Sequence, residues 1–250
     1  MSQFLRERYV RSLRRYDSSG FSLLELAIVM VVISLLLVAF LPSLNSQYEQ
    51  QRVVTTQRAM DEAKEAIAGF VMQNGRLPCP ADPVGNQGTE QLAGNACANA
   101  EGALPWATLG VKQLDAWGRR YTYRVAPAFA DTIAAGTPGC AGVAPALSSI
   151  AMCATGNITV NDRSGGGAIA LATGVPAAIV SHGQNGYGAY TASGTQIPTA
   201  GGTADEMENA NGDAVFVSHP RDNSSYDDLV VWLPKELIVS RLVTAGRLPS

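Results

Sequence analysis

The chain has 250 residues, enough for one large domain or two small ones, with 16% charged residues, 25 glycines and a formal net charge of −3. Residues 1–20 carry a net +3 and the remainder −6, and an acidic body without clustered Lys and Arg speaks against general nucleic-acid binding. Low charge and abundant glycine fit an exported, loop-rich protein better than a cytosolic enzyme.

The chain opens on five arginines, Arg6, Arg8, Arg11, Arg14 and Arg15, before an apolar run between Gly20 and Pro42. That run holds 21 residues and one charge, Glu25. About 20 residues at roughly 1.5 Å each cross the hydrocarbon core of a bilayer as a helix. A carboxylate at the centre of such a span costs about 2.5–3.5 kcal/mol, less near its end, and usually marks function. No small-residue cleavage site follows Phe40, so the run is expected to stay in the mature protein. The arginine excess before it places the N-terminus in the cytoplasm and everything after Pro42 beyond the inner membrane.

The residues Gly20-Phe21-Ser22-Leu23-Leu24-Glu25 resemble the prepilin cleavage and methylation signal of type IV pilins and type II secretion pseudopilins. The resemblance implies cleavage after Gly20 by a prepilin peptidase and N-methylation of Phe21. It implies an assembly role for Glu25, and it matches Pro42 to a helix-kinking proline of the family. In a helical polymer, the Glu25 carboxylate could pair with the Phe21 amine of a neighbouring subunit, which would offset the cost of holding a charge in lipid. The bland alternative is a signal anchor whose Glu25 sits among the lipid headgroups.

From Ser43 to Asn74 the pattern turns amphipathic. Val53, Met60, Ala63, Ile67, Phe70 and Val71 recur close to a period of 3.6, and Asn74-Gly75 is a stop signal. One helix of about 54 residues, roughly 80 Å long, is predicted, kinked at Pro42. Its first half would span the membrane or lie in a fibre core, and its second half would pack on a head. Residues 76–102 are rich in Pro, Gly, Asn and Ala and read as a connecting loop. Asp115-Ala-Trp-Gly-Arg-Arg-Tyr-Thr-Tyr resembles a segment of pseudopilin heads, with Tyr121, Tyr123 and Val125 on one strand face. Further strands are predicted at 157–160, 168–172, 177–182, 214–218 and 228–233, and a helix at 234–245. The fold class is α+β, a long N-terminal helix on an antiparallel head. The domains read as leader 1–20, membrane or fibre-core helix 21–42, amphipathic helix 43–75 and periplasmic head 76–250.

The candidate chemistry is sparse. Cys79, Cys97, Cys140 and Cys153 lack metal-thiolate spacing and read as disulfides in an oxidising compartment. Three connectivities exist; the short loops favour Cys79–Cys97 with Cys140–Cys153. His182 and His219 stand apart without a G-x-S-x-G elbow and read as turn residues. Gly183, Gly186 and Gly188 read as a flexible turn, and Trp106 and Trp117 as core aromatics. Acidic residues crowd the last third of the chain. Major pseudopilins carry a calcium site in this region, and Tyr226-Asp-Asp-Leu-Val-Val-Trp232 resembles its acidic pair. Asp227 and Asp228 are therefore the candidate calcium ligands; otherwise they are solvated loop carboxylates.

These observations lead to a structural subunit rather than an enzyme. Its expected partners are a prepilin peptidase, other pilins or pseudopilins and an inner-membrane assembly platform, with no nucleic acid. The rival is a membrane-anchored periplasmic binding, adhesive or hydrolytic domain.

Overall fold

The computed structural model describes residues 22–131, 150, 154–222 and 225–248, and within α1 the side chains of residues 38–45 fall outside that description. The chain divides into two compact units, residues 1–48 and 49–250. Helix α1 (Leu23–Asn74) begins in the first and ends in the second.

Both ends of α1 are written in the sequence. Ser22 caps its start, its Oγ accepting from the Glu25 amide at 3.1 Å, so Glu25 sits in the first turn, where a carboxylate meets the positive end of the helix. At the other end Gly75 takes a φ of 68° and its amide donates to Val71 O at 2.8 Å. The last carbonyls find a cation in Arg247, which donates to Met72 O at 2.7 Å and to Gln73 O. Pro42 lies within α1, in the stretch whose side chains are not described, and the kink expected there falls outside the described residues.

In the second unit α1 buries Ala59, Met60, Ala63, Ile67 and Val71, the stripe its periodicity predicts. These pack on a four-stranded antiparallel sheet in the order β3 (Glu101–Ala103), β4 (Thr122–Val125), β7 (Ala177–Ser181), β9 (Leu229–Leu233). Tyr121, Tyr123 and Val125 face the helix, as their alternation predicts. The Tyr121 phenol is shifted strongly upward by burial.

A second, three-stranded sheet contains β6 (Ile169–Val175), β5 (Ile158–Asp162) and β8 (Val215–Val217) in that order. Here the all-antiparallel expectation fails, because β5 and β8 run parallel, with Thr159 opposite Val215 and Asn161 opposite Val217. The 52 residues between them are long enough for the crossover a parallel pair requires. Strand β7 is buried at every position because it has a core on each face. Ala177 and Ile179 join α1, while Ala178 and Val180 join Ile158, Val160 and Phe216 of the second sheet. A strand covered on both sides reads as a continuous apolar run, and Ala-Ala-Ile-Val is one.

The 76–102 stretch is more ordered than a loop. Strands β1 (Leu92–Ala93) and β2 (Ala96–Cys97) form a small hairpin, stapled by the Cys79–Cys97 disulfide to the segment that follows α1. Cys140 and Cys153 lie outside the described residues. Glu90 accepts two hydrogen bonds from the Arg76 guanidinium, both at 2.8 Å, and one from the Cys79 amide at 3.0 Å. The tryptophans are half-buried platforms rather than core aromatics. Trp106 lies 5.0 Å under the guanidinium of the fully buried Arg120, and Trp117 donates from Nε1 to Glu49 at 3.2 Å. Each indole keeps a cation or a polar edge in play, which a dry core would forbid.

Candidate functional sites

Two places in the chain carry unusual chemistry. The first is the start of α1. All 16 residues from Ser22 to Leu37 are exposed, and Glu25 is the one charge among them. A helix that is apolar all round has no polar face to give to water, so it requires a covering of lipid or of other apolar helices. Among the described residues, no helix is long and apolar enough to cross a membrane. Gly20 and Phe21 lie outside the described residues.

The second is a buried carboxylate cluster in the head. Helix α4 (Ala204–Glu208) is short and fixed by a capping box. Thr203 Oγ1 accepts from the Glu206 amide at 3.3 Å, and Glu206 Oε2 accepts from the Thr203 amide at 2.8 Å. Glu206 Oε1 then accepts from Asn185 Nδ2 at 2.6 Å, while the Asn185 amide donates to Asp227 Oδ2 at 2.8 Å. Asn185 thus joins two carboxylates from distant parts of the chain. Asp228 Oδ2 accepts from Asn209 Nδ2 at 2.8 Å and lies 3.8 Å from His182 Nδ1. Oxygens of Glu206, Asp227 and Asp228 fall within 4.8 Å of one another, and all three residues are buried.

Burial pushes the carboxyls of Asp227 and Asp228 upward, and neighbouring carboxylates add to it. The same burial pushes the His182 imidazole down to about 4, with the Arg119 charge contributing, so this ring is neutral at physiological pH. Its Nε2 shares a 2.9 Å hydrogen bond with Thr122 Oγ1. Three buried polar atoms here have no hydrogen-bond partner: Asp227 Oδ1, Asp228 Oδ1 and His182 Nδ1.

Several sequence expectations change at this point. His182 does open the turn after β7, its carbonyl accepting from the Gly186 amide at 2.9 Å, but its ring is buried in the network rather than exposed at the surface. His219 stacks on Tyr226, ring centroids 3.9 Å apart, and pairs with Asp205 at 3.1 Å. Asp227 and Asp228 are not solvated loop carboxylates; they are 7% and 2% exposed. The glycine cluster is closely packed rather than loose. Gly183, at a φ of 54°, would place a Cβ 2.4 Å from Asp227 Oδ1, and Gly186 would place one against Arg119. The Ser181–Gly186 and Tyr226–Trp232 segments do come together, through Asn185 and Asp227. Glu206, Asn209 and Asn185 were missed. Thr203-x-x-Glu206 is a capping-box signature that would have found α4, yet nothing local to the chain says that its glutamate faces Asp227.

Three carboxylates, two of them with a bare oxygen, suit a hard divalent cation, which prefers oxygen donors. Glu206, Asp227 and Asp228 would hold it, and the missing Cβ of Gly183 leaves Asp227 its place.

Comparison with known families decides the nature of the N-terminal segment. Residues 15–41 match the model of the prokaryotic N-terminal methylation motif. The chain carries the type IV pilin and pseudopilin signal. The matched stretch contains Gly20, Phe21, Glu25 and the exposed apolar turns of α1. Comparison with curated proteins and with solved structures gave no match.

Proposed function

We propose that this chain is a structural subunit, a minor pilin or pseudopilin, of a type IV pilus or type II secretion fibre. The observation that carries this reading is the methylation motif lying on a helix whose first turns expose apolar side chains in every direction. In the inner membrane, lipid would cover those side chains; in a fibre, the same helices of neighbouring subunits would. A prepilin peptidase would cut after Gly20 on the cytoplasmic side and methylate Phe21. Glu25, held in the first helical turn, would meet the new amine of a neighbour. The head would remain periplasmic, anchored by a single pass, until an assembly platform extracts the subunit. Its chemistry is association rather than turnover.

The head cluster fits a calcium ion on Asp227 and Asp228, joined by Glu206. Such an ion would tie α4, the 182–188 turn and the start of β9 together, replacing the mutual repulsion of three buried anions with attraction.

Assembly is tested by Glu25→Ala in cells that make the fibre. The variant should remain in the membrane fraction yet be depleted from sheared fibres. Incorporation at the wild-type level would remove the assembly role.

A further inference from the structure

A pocket of about 440 Å³ opens beside the carboxylate cluster, lined by Tyr187, Thr203, Glu206, Asp222, Tyr226 and Asp227 among others. Its volume falls in the range of small-ligand sites, roughly 300–1,000 Å³. A single ion occupies a space nearer to that of one water, about 30 Å³, and would leave most of the pocket unfilled. Among the described residues of the lining three are acidic, and none is Lys, Arg or His.

Charge is left over as well as space. Asp227 lines the pocket, is 7% exposed, and keeps Oδ1 without a hydrogen-bond partner. Arg221, whose charge acts on Asp227 and Asp228, lies with its guanidinium 5.5 Å over the Trp117 ring and is not in the lining. Two tyrosines line the wall; Tyr226 is buried and stacked on His219, so Tyr187 is the ring that can meet an alkyl stem and a cationic head. Gly201, at a φ of 113°, lies against Tyr187; a Cβ there would come within 3.0 Å of the phenol oxygen.

We infer that this pocket binds an organic cation, an ammonium or guanidinium group on an aliphatic stem. The group arrives either on a lysine or arginine side chain of a partner protein or as a free polyamine. The inference is independent of the fibre reading.

The test uses the full chain in detergent micelles, with calorimetry or ligand-observed NMR. The probes are the blocked tripeptide Gly-Lys-Gly, free cadaverine and the blocked norleucine analogue, which has the stem without the charge. The cationic probes should bind saturably and the norleucine peptide should not. Asp222→Asn keeps an oxygen to accept from the Ser225 amide, 2.5 Å away in the wild type, and so preserves the turn. It should weaken binding by about fivefold, and Tyr187→Leu should do the same, the scale of one charge or cation–π contact. Tighter binding of the peptide identifies a side-chain ligand; tighter binding of cadaverine identifies a free polyamine. The inference is overturned if no cationic probe binds, if norleucine binds equally, if Asp222→Asn changes nothing, or if millimolar calcium abolishes binding and leaves a metal site only.

Discussion

Asn209 replaces a strand for Val217. Its side-chain oxygen accepts from the Val217 amide at 2.7 Å, and its Nδ2 donates to the Val217 carbonyl at 3.1 Å and to Asp228 Oδ2 at 2.8 Å. One side chain therefore completes the edge of β8 and fixes a cluster carboxylate. Asn209→Ala would leave a buried amide and a buried carboxylate short of partners. A loss of about 2–4 kcal/mol is expected, read as a shift in the denaturant midpoint. Asn209→Asp keeps the acceptor but adds a fourth buried anion, and should be at least as harmful. An alanine variant within experimental error of wild type would show that water replaces the amide.

His182 gives the head a defined acid response. Its folded-state value near 4 lies below the ordinary 6.5 of an exposed imidazole. Between those values the unfolded chain binds the proton and the folded chain does not. Stability from this group is complete above about pH 6.5 and is lost as pH falls towards 4, by roughly 3 kcal/mol in all. His182→Gln retains a hydrogen-bonding side chain without that titration. Plotted against pH, the stability difference between wild type and variant should change across this window. A constant difference would mean that the imidazole charges in place.

The Cys79–Cys97 disulfide closes a short loop, with a sequence separation of 18, whose Glu90 pairs with Arg76 just before it. Replacing both cysteines by serine should cost about 3 kcal/mol by the chain-entropy argument, with the β1–β2 hairpin released first. Limited proteolysis should then cut within 92–97 before it cuts the sheets. Simultaneous loss of all head protection would show that the hairpin and sheets unfold as one unit.

Calcium should act on the head alone. Millimolar calcium is expected to raise the thermal midpoint of the wild type by several degrees, and Asp228→Asn should abolish the response. Insensitivity of the wild type to both calcium and chelator would remove the ion from the cluster.

Much of this architecture was legible because it is local. The apolar stripe of Met60, Ile67 and Val71 marks the packed half of α1, and Asn74-Gly75 marks its end. The alternation of Tyr121, Tyr123 and Val125 marks one face of β4, and turn residues bound β5 to β9. What could not be read is what depends on distant pairing. Nothing near Val215 says that it lies beside Thr159, or that the pairing is parallel. Likewise, Asp227-Asp228 reads as exposed because carboxylates usually are, whereas β9 carries the pair into contact with Asn185 and Asn209. Arg120 escaped notice for the same reason. Its buried guanidinium donates to loop carbonyls, Pro83 O at 2.8 Å and Ala192 O at 2.7 Å, that sequence spacing does not place around it. The glycines at 183 and 186 looked permissive, yet each marks a contact too close for a Cβ.

The N-terminus of the mature chain tests the central claim most directly. The full-length protein would be expressed with and without a prepilin peptidase, and its first residue read by mass spectrometry. The account predicts a chain beginning at N-methylated Phe21 only when the peptidase is present, with Gly20→Ala left uncut. A chain that keeps its first 20 residues beside an active peptidase, or one cut after Pro42, would contradict it.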